Sequence, residues 1–438
     1  MSTPQLILII LLLLVASLRF LQKFYYTLAI TVYHFLMFMV SPFHKKARDG
    51  IKGRKNLFKN LEEDFNFPDS KKIWFHCASV GEFEQGRPVI ERIREQYPDH
   101  KILLTFYSPS GYELRKNYSG VDYVSYLPLD TKANAKKFIR IAKPDIAIFV
   151  KYEFWLHHIN AIQKNKIPLF LISGIFRKKQ IFFKWYGIVF RKSLKKYTTL
   201  FVQDEDSLNL LDRFKITNAE IAFDTRFDRV NEIAKHTAEN ELIRDFTANH
   251  NVLIAGSTWP MDERIIAGAF YHSLVYNNFK LVVAPHNIEK KYLKKTYRSF
   301  NKFSLRYSEL NKSGPEDIAG KRVLIIDNIG MLASIYKYAD VCYIGGGYNN
   351  GIHNTLEAAV YGKPILFGPK YKKFKEAVDM VDKGIAFPVN GSDDILQRIN
   401  FMNQFNFVFT GAGSDAKEYV ASHTGGTETI VNAIKKYL

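Results

Sequence analysis

The stretch Gly345-Gly-Gly-Tyr-Asn-Asn-Gly-Ile-His353-Asn354-Thr-Leu-Glu357-Ala-Ala-Val-Tyr-Gly362-Lys-Pro364 lies between two apolar runs, Val341 to Ile344 and Ile365 to Phe367. The runs read as short buried strands. The glycines read as a turn that lets backbone approach a ligand, and the segment from about His353 as a helix stopped by Gly-Lys-Pro. A strand, a glycine loop and a helix with unpaired first-turn amides suit a phosphate. Asn354 and Glu357 either cap that helix or face the loop, the carboxylate for ribose hydroxyls and the amide or the His353 imidazole for phosphate oxygens. A bare cap does not need Gly345, Gly346 and Gly347, which favours the ligand reading.

Working outward, strands and helices alternate from Lys72. Strands are expected at Ile73 to Ala78, Lys101 to Tyr107, Tyr123 to Leu127, Ile146 to Val150, Leu169 to Ser173 and Leu200 to Val202. The pattern restarts at Asn251 to Ala255 and continues through Leu281 to Ala284, Leu324 to Ile326 and the two runs quoted above. This is the βα alternation of doubly wound parallel sheets, so the expected class is α/β with two facing Rossmann-like domains. The expected division is an apolar N-terminal anchor over 1–43, a first domain over 44–222, a linker over 223–250 and a second domain over 251–438. Fold analogy has the last helix, about Thr427 to Tyr437, folding back across the cleft between the domains.

Lys and Arg exceed Asp and Glu by 19, which implies anionic company. No nucleic-acid module, no Cys/His zinc spacing and no repeat occurs, so a membrane surface and phosphorylated substrates are the better partners. Cys77 and Cys342, the only cysteines, read as packed thiols rather than a disulfide. Two apolar runs, Gln5 to Leu18 and Phe24 to Phe43, precede a basic segment with Lys45, Lys46, Arg48, Lys52, Arg54 and Lys55. That flank keeps the body in the cytoplasm by the positive-inside rule. A helical hairpin and one span with an interfacial helix both remain open; a signal peptide lacks its basic start and cleavage site.

In the first domain Ser79-Val-Gly81-Glu82 follows a strand and opens a helix. Its spacing fits a capping box and an active-site base equally. Glu153 ends an apolar strand, where α/β sheets present functional side chains; a helix-start acid is its plain alternative. In the second domain Ser257 and Thr258 precede a helix and suit either a cap or a bound anion.

Together these motifs resemble the 3-deoxy-D-manno-octulosonic acid (Kdo) transferases of lipopolysaccharide synthesis. The resemblance rests on Ser79-Val-Gly-Glu82, Thr105-Phe-Tyr-Ser-Pro109-Ser-Gly111, Tyr126-Leu-Pro-Leu-Asp130, Lys143-Pro-Asp145, Tyr152-Glu153-Phe-Trp155, Asp327-Asn-Ile-Gly330-Met331-Leu332 and the glycine stretch. It runs in order over nearly the whole chain after about residue 24. It implies a GT-B-type inverting glycosyltransferase on the cytoplasmic face of the inner membrane, moving Kdo from CMP-Kdo to the 6′-hydroxyl of a lipid A precursor. In that reading Glu82 is the base and Glu153 a second active-site carboxylate, with Ser79 and Gly81 toward the acceptor; the run Lys370, Lys372, Lys373 and Lys375 either reaches phosphates of a lipid acceptor or is a solvated face. The donor falls to Ser257, Thr258, His286, Asn287, Gly330, Met331, Gly346, Gly347, His353, Asn354 and Glu357. No cofactor is implied, and no Asp-x-Asp pair suggests a metal.

Two departures stand out. Pro285-His286-Asn287-Ile-Glu289-Lys290 replaces Pro-Arg-His-Pro-Glu-Arg, so His286 stands where an arginine meets the donor phosphate. Phe223-Asp-Thr-Arg226-Phe-Asp228 replaces Gly-Asn-x-Lys-Phe-Asp. A UDP-sugar transferase of the same architecture and a non-catalytic nucleotide-binding scaffold at the membrane are the alternatives.

Overall fold

The computed structural model describes residues 3–151, 153–274, 278–310, 318, 320–404 and 406–438. Two compact units result, Met1–Asp228 with Gly425–Leu438, and Arg229–Thr424.

The first unit carries β1 (Lys72–Cys77), β2 (Lys101–Phe106), β3 (Tyr123–Tyr126), β4 (Ile146–Val150), β5 (Leu169–Gly174), β6 (Thr199–Val202) and β7 (Ala219–Ile221). Every pair is parallel, in the order β3-β2-β1-β4-β5-β6-β7. Continuous apolar runs such as Ile146–Val150, buried at every position, are what a sheet covered on both faces requires. The order reverses between β1 and β4, and there the loops after two neighbouring strands diverge to opposite faces and leave a crevice.

The second unit repeats the scheme with β8 (Asn251–Thr258), β9 (Phe279–Pro285), β10 (Ser304–Arg306), β11 (Val323–Ile325), β12 (Val341–Ile344), β13 (Ile365–Phe367) and β14 (Ala386–Pro388). The order is β10-β11-β9-β8-β12-β13-β14, again all parallel. The reversal falls between β8 and β12, at the two loops singled out in the sequence.

The second unit's bounds differ from the expected 251–438: it begins at Arg229, and the last segment, Gly425–Leu438, belongs to the first unit. Ile430, Val431 and Ile434 of helix Gly426–Ile434 are buried in the first unit's core with Val89, Ile90 and Phe170. Asp228 holds the segment's start, accepting from Gly425 N–H (2.6 Å), Thr427 N–H (2.7 Å) and the Thr427 hydroxyl (2.7 Å). The region expected as a linker forms helices Arg226–His236 and Glu241–Thr247, with the unit boundary inside the former. Phe223, where glycine is usual in the Kdo transferases, sits at φ +55°.

One helix, Thr3–Val40, runs through both N-terminal apolar segments, so the hairpin alternative fails. The side chains of 3–20 and 23 lie outside the described residues, as does Tyr152. Among the described residues no single helix is long and apolar enough to cross a membrane; Phe24–Val40 and Lys45–Arg54 meet that measure only as a pair bent by 115°. Asp130 ties the long helix to the unit: it accepts from the Tyr26 hydroxyl and from the backbone N–H of His157 (3.0 Å) and His158 (2.9 Å). Cys77 and Cys342 are free and buried, and burial pushes the Cys77 thiol well up.

Candidate functional site

In the first unit, the chain leaves β1 through Ala78 and enters helix Val80–Gln96 at Ser79. Glu82, at the third helical position, turns back so that Oε2 accepts from Ser79 N–H at 2.9 Å and lies 3.3 Å from the Ser79 hydroxyl. That is the reaching-back half of a capping box. It also fixes the carboxylate over the crevice end of β1. Burial, and then the charge of Glu153, push the Glu82 carboxyl up to about 7, against the hydrogen bond from Ser79 and the charge of Lys151. The cap fixes the group in place and its surroundings raise its proton affinity, so the capping reading does not exclude the other. Gly81 is exposed in the same turn.

Glu153 follows β4, across the reversal from Glu82, and is 5% exposed. Its Oε2 lies 2.9 Å from His76 Nε2, and the Trp155 indole N–H donates to the same oxygen. His76 comes from β1. Its Nδ1 lies 3.1 Å from the Thr105 carbonyl, an acceptor only, so Nδ1 carries a proton. The Thr105 hydroxyl, 2.9 Å from Nδ1, accepts from Trp74 at 2.8 Å and donates to the Phe75 carbonyl at 3.2 Å. The sequence reading missed His76 as part of the site. In a run of six buried strand residues nothing distinguishes an imidazole that meets a carboxylate from one merely packed.

In the second unit, β8 bulges at its end: Ser257 takes φ +53° and the register with β9 shifts between Gly256 and Thr258. Thr258 is buried, and its hydroxyl donates to Glu263 at 3.2 Å. Asp262, unassigned from sequence, organises the loop. Its Oδ2 accepts from Trp259 N–H (2.9 Å) and Gly346 N–H (2.9 Å), and its Oδ1 from the Tyr343 hydroxyl (2.8 Å). The carboxylate thus occupies the start of helix Pro260–Ala269, the place that an anionic ligand was expected to take.

The glycines answer first to packing. A Cβ on Gly345 would stand 2.3 Å from the Ser257 carbonyl oxygen, and one on Gly347 2.6 Å from the Gly368 Cα. Gly346 is at φ +95°. Only glycine lets the loops after β8, β12 and β13 touch. The expected helix from His353 is a single turn, Leu356–Ala359. His353 N–H is held by the Gly345 carbonyl at 3.1 Å, which keeps that residue out of a helix, and Gly362 at φ +68° ends the turn. Asn354, one residue before the cap position Thr355, accepts from Leu356 N–H at 3.2 Å and donates to Glu357 Oε1 at 3.0 Å. A single turn offers few unpaired amides to an anion.

Three rings gather above this loop. His286 stacks on Trp259 with centroids 4.6 Å apart and on His353 at 4.5 Å. Trp259 donates its indole N–H to His353 Nε2 at 3.1 Å, which leaves the His353 proton on Nδ1. Burial, then the neighbouring His286, push the His353 imidazolium down to about 4; burial lowers His286 also. Asn287 accepts from Glu289 N–H at 2.8 Å in the turn before helix Lys290–Phe300. Gly330, exposed at φ +100°, and Met331 precede the turn Leu332–Ile335. Lys370, expected at the acceptor, straps the glycine loop, its Nζ donating to the carbonyls of Tyr348 (3.1 Å) and Asn349 (2.9 Å).

Two parallel doubly wound units, each with polar side chains at its order reversal, define the class: an α/β protein of the GT-B type. UDP-GlcNAc 2-epimerase from Neisseria meningitidis, solved with UDP-GlcNAc, has this fold, with TM-score 0.58 and 15% identity over 83% of this chain and all of that one. The family model of 3-deoxy-D-manno-octulosonic-acid transferases matches residues 54–229. The 3-deoxy-D-manno-octulosonic acid transferase of Aquifex aeolicus is 27% identical over 75% of this chain and 84% of its own length; that of Rickettsia felis is 25% identical over 75% and 71%. The chain is a sequence relative of the Kdo transferases, as its motifs indicate.

Proposed function

We propose that this chain is an inverting glycosyltransferase that moves Kdo from CMP-Kdo to the 6′-hydroxyl of a lipid A precursor. The observation that carries the reading is Glu82, fixed by Ser79 N–H at the order reversal of the first sheet with its carboxyl near 7. A general base works best when its proton affinity matches the operating pH. The acceptor oxygen attacks the anomeric carbon and its proton passes to Glu82. The bond from that carbon to the CMP phosphate oxygen breaks, its electron pair leaves with CMP, and configuration inverts in the single displacement. Glu153, held by His76 and Trp155, orients the acceptor or offsets the cationic centre that develops at the sugar.

On the donor side, Asn354 and Glu357 take the ribose, backbone at Gly330 and Met331 meets the base, and Ser257, His286 and the Nδ1–H of His353 meet the phosphate. Neutral imidazoles donate hydrogen bonds without full charge, which distinguishes this chain from relatives with arginine at position 286. Exposed Phe24, Leu28, Phe35 and Phe38 along the N-terminal helix, with Phe43 in the turn after it, beside the basic segment 45–55, support attachment to the cytoplasmic face of an anionic inner membrane.

The test incubates detergent-solubilised chain with CMP-Kdo, generated in situ, and a tetraacylated bisphosphorylated lipid A precursor, and follows the lipid by mass. Wild type adds Kdo mass and Glu82→Ala does not. A folded, CMP-binding wild type that adds none overturns the assignment, and tighter binding of UDP than CMP turns it toward a UDP-sugar enzyme.

A further inference from the structure

A cavity of about 1080 Å³ opens in the first unit between the end of helix Thr3–Val40, helix Lys45–Arg54 and the loop after β2. It exceeds the roughly 300–1,000 Å³ of ordinary small-molecule sites. Its wall is apolar, with Met37, Phe38, Ile51, Leu57, Phe58 and Pro109, and its rim carries Lys46, Lys52 and Lys55; among the described residues no carboxylate lines it. An apolar trough with a purely cationic edge complements an acylated, phosphorylated molecule.

The floor leads toward the site. Arg54 is fixed there, donating to the carbonyls of Leu127 (2.9 Å), Gly50 (2.9 Å) and Tyr107 (2.7 Å), and its guanidinium lies 4.8 Å from the Tyr107 ring centre. Tyr107 stacks on Trp155 at 4.7 Å, and Trp155 donates to Glu153. Two aromatic side chains thus separate the cavity from the buried carboxylate. A trough for bulk lipid needs no such continuity with a reactive group.

We infer that this cavity seats an acyl chain of the phosphorylated lipid acceptor, with Lys46, Lys52 and Lys55 toward the acceptor's phosphates. The inference rests on the acceptor assignment above and assigns its apolar half to Met37, Ile51 and Pro109.

The test compares two acceptors, the tetraacylated bisphosphorylated precursor and its fully deacylated (O- and N-deacylated) counterpart, with wild type, Ile51→Trp and, from the neighbouring helix, Met37→Trp. Filling the cavity raises KM for the tetraacylated acceptor by about tenfold, the loss expected from roughly two methylenes no longer buried, while kcat and KM for the deacylated acceptor hold. Equal effects on both acceptors, or none, overturn the inference, and thermal unfolding of each variant separates misfolding from blocked binding. If wild type transfers to neither acceptor, the functional assignment fails alone. Binding of fluorescent cis-parinaric acid then decides the cavity: loss of binding in both tryptophan variants supports an acyl site, and unchanged binding overturns it.

Discussion

Glu153 Oε2 and His76 Nε2 lie 2.9 Å apart inside the first unit, their side chains 7% and 0% exposed. Nδ1 of His76 is committed to the Thr105 carbonyl, and the Trp155 indole N–H reaches both Nε2 (3.1 Å) and the Glu153 carboxylate. Removing either partner strands the other in a low-dielectric interior. His76→Ala is expected to lower unfolding free energy by about 3–5 kcal/mol, measured by denaturant titration. Adding Glu153→Ala recovers part of the loss, and strict additivity of the two changes would show that the contact carries no coupling.

Glu82 makes a pH prediction with a definite sign. Its folded value of about 7 exceeds the roughly 4.3 of an unfolded glutamate, so between the two the folded chain holds a proton that the unfolded chain has released. The group's contribution is complete below the lower value and is lost as pH rises through 7. Glu82→Gln is expected to be more stable than wild type at pH 8, by on the order of 2 kcal/mol, and equal to it at pH 4. In the transfer assay, kcat/KM for wild type climbs with unit slope to about pH 7 and then levels, and the variant loses about 10²–10⁴ in kcat.

Asp262 satisfies three donors at once in a fully buried position. Asp262→Ala leaves Trp259 N–H, Gly346 N–H and the Tyr343 hydroxyl without it, a cost on the order of 3 kcal/mol, and frees the glycine loop. Calorimetry is expected to find CMP binding abolished. Tyr343→Phe removes one donor only, costs about 1 kcal/mol and keeps CMP affinity. Equal affinity in Asp262→Ala would separate the loop from the donor.

His353 stays neutral through the physiological range, since burial and His286 hold it at about 4. His286→Ala opens the ring to water and removes the neighbouring charge, so the His353 titration moves toward the ordinary imidazole value, as followed by NMR of the ring protons. A phosphate anion beside the ring pulls the same way. CMP binding at pH 5.5 is therefore expected to take up protons, read as a dependence of binding enthalpy on buffer ionisation. No uptake would put the phosphate away from His353.

The alternation of apolar runs with helical segments made both sheets readable, because a buried parallel strand must be apolar at every position and a crossover helix must follow it. The placement of Glu82 and Glu153 was legible for a related reason: both follow strand ends, where doubly wound sheets expose side chains. The helix expected from His353 is a single turn, Leu356–Ala359. Asn354 and Glu357 do have capping spacing, but a single backbone bond from His353 to Gly345 confines the helix to one turn, and no local pattern encodes that bond.

Sequence by itself determined the two α/β units, the strand ends that carry polar side chains and the apolar N-terminal helix with its basic flank, since periodicity and composition are properties of neighbours along the chain. Tertiary structure alone decided that Ile430, Val431 and Ile434 are buried in the first unit, that Asp262 rather than a ligand caps helix Pro260–Ala269, and that His76 meets Glu153 across the order reversal. Each of these joins residues at least 77 positions apart or turns on which of several equivalent donors a carboxylate reaches. The free energy of such contacts comes from burial and geometry in three dimensions, on which local sequence places no constraint.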